Sequence, residues 1–224
     1  MFTGFTQKTI DFMWGLRLNN NKPWFEEHKS EFVRDFQTPM KTLGSEVFER
    51  ISEKYSDRGF VHKVSRIYKD ARRVKNGEFY RSNMWFSFEK PPLDASTEWT
   101  VTPGFWFDLG PDNWSCGMGY GQAKSETMTM MRAKIDSDPK KFEKFISPLY
   151  KQDEFVLDGP EYVRKKESEV KIGEKSAEWY NRKSFSLIHI QPNGSELFSA
   201  ELADRLVAGY EFLMPFYDYF IELK

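Results

Sequence analysis

The sequence predicts an α+β fold in which a mainly antiparallel central sheet is packed by N-terminal, middle and C-terminal helices. Two observations support this prediction. Helical periodicity fills the first quarter of the chain and returns in the middle and at the C-terminus, whereas strand-like alternation is concentrated between residues 84 and 120. Because the strands cluster instead of alternating with helices, an antiparallel sheet is favoured over a parallel one.

The N-terminal helices are predicted from their caps and their apolar spacing. Thr6 is a suitable N-cap, and Ile10 begins an apolar face within the helix that follows. Pro23 falls in the first turn of a second helix, where its missing N–H costs nothing. Thr38-Pro39 predicts either a new helix start or a kink.

Period-two alternation predicts the strands. Apolar residues recur at every second position of 84–89, 105–109 and 114–120, and 185–190 is a further strand candidate. The Gly-Pro-Asp-Asn sequence at 110–113 is strong turn chemistry, so the second and third runs are expected to form an antiparallel hairpin.

Further helices are predicted after these strands. One covers about 125–135, the next starts at Asp138-Pro139, and the last is a long C-terminal helix that Pro215 is expected to kink or end.

Length and composition limit the class of protein. The 224 residues predict a single globular domain over 1–224. Aromatic residues make up 17% of the chain, which supplies rigid apolar area for a packed core. The formal net charge is −1, so no whole-protein field would draw the chain onto nucleic acid or a lipid surface.

Cysteine usage and hydropathy predict the compartment. Cys116 is the only cysteine, so no intramolecular disulfide can form and a reducing compartment is favoured. The first residues lack the basic and apolar regions of a signal peptide, and nowhere do about 18 apolar residues run together. We therefore expect a cytoplasmic protein with no membrane partner.

Several kinds of chemistry lack a sequence signature. His28, His62 and His189 lie far apart without ligand spacing, so we expect no metal site and no cofactor. Cys116 sits in an apolar-alternating strand and is interpreted as a small buried hydrophobe. Gly117 and Gly119 leave one strand face bare, on which either a packed side chain or a ligand could lie.

One segment of the chain concentrates positive charge. Between residues 58 and 81 there are eight Lys or Arg residues against two acidic ones, with aromatic residues interleaved. Guanidinium groups bind carboxylate or phosphate through paired hydrogen bonds, and Asp70 would hold one arginine in place. Arg132 lies among methionines further along the chain, and a semi-buried arginine needs an anionic partner. The alternative interpretation, without a ligand, is a solvated loop with surface ion pairs.

At these residues the chain resembles a bacterial family of conserved hypothetical proteins called domain of unknown function 2461. The resemblance runs essentially end to end and includes an N-terminal signature, a central motif, a glycine-rich strand, the following helix and a late strand entry, at Trp24-Phe25-x-x-His28-Lys29, Arg66-Ile67-Tyr68-Lys69-Asp70-Ala71-Arg72, Gly117-Met118-Gly119-Tyr120, Arg132 with Ile135, and Lys183-Ser184-Phe185. The chain departs from the family pattern at 73–81, where Lys75 and Tyr80 match and Arg81 replaces a lysine. The resemblance implies a cytoplasmic α+β domain and no particular reaction.

The family motifs fall on residues that we group as a candidate site, namely Arg66, Asp70, Arg72, Tyr80 and Arg132. The first hypothesis is a pocket for a small metabolite bearing phosphate or carboxylate. The three arginines would hold the anion, Asp70 would orient an arginine, and Tyr80 would donate a hydrogen bond. An enzyme built there would use electrostatic stabilisation, with Asp70 or Tyr80 as proton carrier.

Two alternatives stay open. The second hypothesis is a nucleic-acid or nucleotide-binding module, in which Tyr68, Phe79 or Trp85 would stack on bases. The near-neutral total charge counts against it. The third is a structural or interaction protein whose arginines only satisfy internal carboxylates.

Overall fold

The computed structural model describes residues 1–70, 72, 74, 77–91 and 101–223. Helices and strands in this part of the chain confirm the α+β class. The helices are α1 (Gln7–Leu18), α2 (Lys22–Glu31), α3 (Thr38–Lys54), α4 (Ser125–Ser137), α5 (Pro139–Ile146), α6 (Glu174–Tyr180) and α7 (Leu202–Ile221). The strands are β1 (Val61–Val64), β2 (Met84–Glu89), β3 (Pro103–Leu109), β4 (Asn113–Tyr120), β5 (Val156–Asp158) and β6 (Ser186–Pro192).

The six strands form one antiparallel sheet in the order β1-β2-β3-β4-β6-β5. Strands β2, β3 and β4 are the three that alternation predicts, and β6 is the further strand candidate. In the turn at 110–113, the Gly110 N–H donates to the Asn113 carbonyl at 2.9 Å, which closes the β3–β4 hairpin. Strands β1 and β5 were not predicted, and they pair with β2 and β6.

Contacts divide the chain into two compact units. The first contains 1–89, 106–116 and 190–211, and the second contains 90–105, 117–189 and 212–224. Both are discontinuous in sequence, and the single domain over 1–224 stays a prediction.

In the first unit, a π-helical segment (Phe32–Gln37) joins α2 to α3 without a break. Its last turn is wide, because the Thr38 N–H donates to the Val33 carbonyl five residues back. Pro39 has no N–H for the Asp35 carbonyl, four residues before it. The buried hydroxyl of Thr9 donates to that carbonyl instead, at 2.6 Å. The predicted proline start of α3, at Thr38-Pro39, therefore directly follows a π-helical segment.

The core of the first unit is aromatic. Phe107 of β3 stacks on Phe86 of β2 at 5.4 Å between ring centroids, and on Phe5 at 6.2 Å. Phe88 meets Tyr210 edge-on at 5.2 Å, and the buried Tyr210 hydroxyl donates to a backbone carbonyl of β3 at 2.7 Å. This core supports β1 and β2, which carry the loop that holds most of the candidate residues.

The core of the second unit explains why β4 has glycine at 119. A Cβ built at Gly119 would lie 2.4 Å from the Phe185 carbonyl oxygen and 2.6 Å from the Ser186 Cα. Neighbouring backbone therefore occupies this space, and glycine is needed for the close approach. Phe185 in turn packs against Phe220 at 4.5 Å and Trp179 at 5.0 Å.

The C-terminal helix α7 continues past Pro215 to Ile221, so the proline does not end it. Across the described ranges, no helix combines the length and the apolar character that crossing a membrane requires.

Candidate functional site

The candidate residues lie mainly in the loop between β1 and β2, which we call the basic loop (65–83). Its two arms stay paired beyond the strands. The Ser65 N–H donates to the Trp85 carbonyl at 2.8 Å, the Arg81 N–H to the Ile67 carbonyl at 2.7 Å, and the Lys69 N–H to the Phe79 carbonyl at 2.9 Å. A ladder of backbone hydrogen bonds therefore holds the described residues at the base of this loop.

The basic loop is fastened to the turn between α1 and α2. The Asn20 side chain donates to the Tyr80 carbonyl at 2.8 Å and accepts from the Tyr80 N–H at 2.9 Å. Tyr80 itself is buried and stacks on Phe25 at 4.1 Å. These two hydrogen bonds and the aromatic stack position the second arm of the loop, on which Arg81 follows Tyr80.

An open cavity of about 800 Å³ lies along this ladder, and we call it the arginine cavity. Its charged lining consists of four cationic side chains and one carboxylate, from Lys63, Arg66, Lys69, Arg81 and Asp70. Its remaining lining comes from Val64, Ser65, Tyr68 and Trp85. The cavity is therefore both cationic and partly aromatic.

Two of the four cations are paired within the protein. Lys69 forms an ion pair with Glu78 at 2.9 Å, and Lys63 lies 3.5 Å from Glu89. Burial raises the pKa of Glu89 and lowers the pKa of Lys63. The attraction between the two charges opposes both shifts without cancelling them. This pair is therefore only partly compensated for leaving water.

Arg66 and Arg81 differ from these lysines. Among the described residues, neither has a carboxylate within ion-pair distance. Arg81 acts on the half-buried Asp108 at longer range, where it partly opposes the rise in pKa that burial causes. One oxygen of the Asp108 carboxylate accepts from the Asn83 side-chain amide at 2.6 Å. The Arg81 N–H donates to the carbonyl of Ile67, the residue after Arg66, and both arginines line the arginine cavity.

Asp70 and Arg72 form a pair at the edge of the arginine cavity. Arg72 donates from Nε and Nη2 to the two Asp70 carboxylate oxygens at 3.1 and 2.7 Å, and its backbone N–H donates to the same carboxylate at 3.0 Å. The Arg72 side chain is 89% exposed, and Asp70 lines the cavity. The carboxylate raises the pKa of Arg72 through hydrogen bonding and charge. Asp70 thus fixes the direction of this guanidinium.

Tyr80 borders a second, smaller cavity of about 460 Å³, to which Lys69 and Arg81 also contribute. Burial raises the pKa of the Tyr80 phenol, and the nearby Tyr68 and Glu26 add to the rise. The phenol therefore stays protonated near neutral pH and can donate a hydrogen bond.

Arg132 belongs to the second unit, unlike the other four candidate residues. It is half-buried on α4, and its Nη2 donates to the Thr129 hydroxyl at 3.0 Å. Its guanidinium lies 5.6 Å from the ring centroid of Tyr162. Both of these contacts lie within the second unit.

Sequence reasoning found the basic loop but placed Arg81 outside the candidate set. The only sequence signal for Arg81 is its position in the charged run, because its pairing with Ile67 depends on the ladder. Arg73 and Lys75 of the same run lie outside the described residues. Within the described part of the chain, no group of three His, Cys, Asp or Glu residues could hold a metal ion.

The sequence as a whole was compared with known proteins. A search of curated proteins found no match. A model of the family described as conserved hypothetical protein, DUF2461, matches residues 8–219. This match covers nearly all of the 224 residues and agrees with the resemblance drawn from the motifs. The chain belongs to the DUF2461 family of conserved hypothetical proteins.

Proposed function

We propose that the protein is a cytoplasmic binding protein for a small anionic metabolite, and that the arginine cavity is its binding site. The ligand carries a phosphate or carboxylate group. Arg66 and Arg81 bind this group, and Arg72, held by Asp70, adds positive charge at the cavity edge. Tyr80 supplies a hydrogen-bond donor on the neighbouring cavity.

The observation that carries the proposal is the presence of two arginines on one cavity without a carboxylate partner among the described residues. Like charges placed together repel one another, and an anion between them removes that cost. Guanidinium groups present a planar fork of donors, which matches the oxygens of a phosphate or carboxylate. An oxyanion therefore satisfies both the charge and the geometry of this cavity.

The lining residues also limit the rest of the ligand. Tyr68 is 50% exposed, and the half-buried Trp85 lies on the same cavity. Aromatic side chains at a cavity wall offer apolar area and a stacking face to a planar or aliphatic group. The best ligand is therefore an oxyanion joined to a small organic body.

Isothermal titration with inorganic pyrophosphate and with citrate tests the proposal. The Arg66→Gln/Arg81→Gln variant is expected to weaken binding about tenfold or more, since charged hydrogen bonds are stronger than neutral ones. Arg50→Gln is the matched control, because Arg50 is an exposed arginine of the same unit that is already paired with Asp204 at 2.7 Å. Equal affinities for the wild type and the double variant would refute the proposal.

A nucleotide or single-stranded nucleic acid is the second candidate ligand. The observation in its favour is that Tyr68 and Phe79, which are 50% and 46% exposed, flank the cationic loop. Bases stack on exposed aromatic rings, while cations follow the phosphates. Binding of an oligonucleotide that weakens steeply with salt and requires Tyr68 would favour this candidate over a small metabolite.

The third candidate is a structural role without a ligand. In that case the Arg66→Gln/Arg81→Gln variant would lower the melting temperature, and no anion would stabilise the wild type. A thermal-shift series with pyrophosphate, citrate and an oligonucleotide separates the three candidates on the same pair of proteins.

A further inference from the structure

A second cationic cluster lies in the second unit, around the ring of Tyr162. Distances to the ring centroid are 5.6 Å for the guanidinium carbon of Arg132, 5.1 Å for Lys166 Nζ and 5.5 Å for Lys183 Nζ. A ring has two faces, so at least two of the three cations lie over the same face. Each cation is attracted by the ring quadrupole, but this attraction is modest at exposed sites.

Backbone hydrogen bonds hold this cluster together. The buried Asn181 accepts from the Tyr162 N–H through its carbonyl at 3.0 Å, and from the Lys166 N–H through its side chain at 2.7 Å. The Lys183 N–H donates to the Pro160 carbonyl at 2.8 Å. The ring and both lysines are thus placed next to each other by the chain itself, which lowers the entropy cost of gathering them around a ligand.

The nearby carboxylates are engaged elsewhere. Asp136 follows Arg132 by one helical turn, but its two oxygens accept from the Tyr180 hydroxyl at 2.9 Å and from the Ser168 hydroxyl at 2.6 Å. Glu161, next to Tyr162, lies 3.4 Å from Arg182. Within the described residues, Arg132, Lys166 and Lys183 have no ion-pair partner.

One nitrogen of the Arg132 guanidinium also lacks a hydrogen-bond partner. Its Nη1 is buried and has no hydrogen-bond partner in the structure. Because this nitrogen is closed off from solvent, Arg132 acts on a bound anion mainly through its charge. The exposed ammonium groups of Lys166 and Lys183 are free to make the direct contacts.

We propose that Arg132, Lys166 and Lys183 form a second anion site, which binds the phosphate group of a small ligand over the Tyr162 ring. A multiply charged phosphate matches three positive charges better than a single carboxylate does. This site is separate from the arginine cavity and depends on none of its residues.

The test uses the full-length chain with Arg66→Gln and Arg81→Gln already introduced, so that binding at the arginine cavity is weakened. Inorganic pyrophosphate is titrated by calorimetry into this protein and into the same protein carrying Lys166→Gln and Lys183→Gln. We expect the lysine substitutions to weaken binding about tenfold. Lys165→Gln with Lys171→Gln is the matched control, because it removes two exposed lysines from the same stretch of chain, and it should change affinity less than about twofold.

Two outcomes overturn the proposal. One is that pyrophosphate does not bind the protein that lacks the two cavity arginines. The other is that the control pair of lysines matters as much as Lys166 and Lys183, which would show that only general charge is sensed. Neither result decides the proposal for the arginine cavity, which is tested by its own titration.

Discussion

Replacing Thr9 by valine tests how the N-terminal helices are joined. The Thr9 hydroxyl is fully buried, donates to the Asp35 carbonyl at 2.6 Å and accepts from the Thr6 N–H at 3.2 Å. Valine has the same shape and cannot make either bond. The Asp35 carbonyl then loses the partner that stands in for the missing N–H of Pro39.

The expected loss of unfolding free energy is about 2–3 kcal/mol, since a buried polar group without a partner costs about 1–3 kcal/mol and a second hydrogen bond is lost as well. In a chain of this length, each kcal/mol lowers the melting temperature by roughly 2–4 °C. Urea denaturation followed by circular dichroism measures the change, and an unchanged denaturant slope would show that the transition itself is the same.

Thr42→Val is the matched control for this measurement. The Thr42 hydroxyl also donates to a helix carbonyl, that of Thr38 at 3.0 Å, but this bond is exposed to solvent. Water can replace it, so we expect a change within about 0.5 kcal/mol. Equal losses for the two variants would refute the account of the Thr9 contact.

Three further predictions follow from single contacts. Gly119→Ala should lower the free energy of unfolding by about 3 kcal/mol, because the alanine Cβ would lie 2.4 Å from the Phe185 carbonyl oxygen. Chemical denaturation measures this change. Burial lowers the pKa of His62, so on acidification the unfolded chain binds a proton at a higher pH than the folded chain does. The free energy of unfolding therefore falls as the pH drops below the pKa of an unfolded histidine, about 6.5. His62→Phe should flatten that fall in denaturation curves recorded between about pH 8 and 5, and an unchanged slope would contradict the assignment. Asn181→Ala removes the side-chain oxygen that accepts from the Lys166 N–H, and it keeps the backbone carbonyl that accepts from the Tyr162 N–H. Losing the first bond should loosen the segment and speed hydrogen exchange at the Tyr162 amide. Unchanged protection of that amide would show that the Asn181 side chain does not hold this segment.

The sequence predicts regular elements best where one local pattern decides them. Caps and proline positions predict α2 and α5, and both helices begin with a side-chain cap, from Asn21 and Asp138. The strands with clear alternation were also found. Strands β1 and β5 are only four and three residues long, which is too short for a period to show.

The candidate site was harder to predict because it depends on contacts between distant residues. The charged run and the pairing chemistry of Asp70 are visible in the sequence, and the structure pairs Asp70 with Arg72. The place of Arg81 depends on the ladder of the basic loop and on Asn20, which is 60 residues away from its partner Tyr80. The carboxylates near Tyr162 show the same limit, since only the folded chain reveals that Asp136 is already occupied.

The central claim is that Arg66 and Arg81 together bind one oxyanion, and side-chain nuclear magnetic resonance tests it most directly. The Nε–H signals of the arginines can be assigned from Arg→Lys variants and followed while inorganic pyrophosphate is added. We predict that the Arg66 and Arg81 signals shift together and saturate at one common dissociation constant, while the Arg50 signal stays in place. Small, unsaturable shifts of equal size at all arginines would contradict the account.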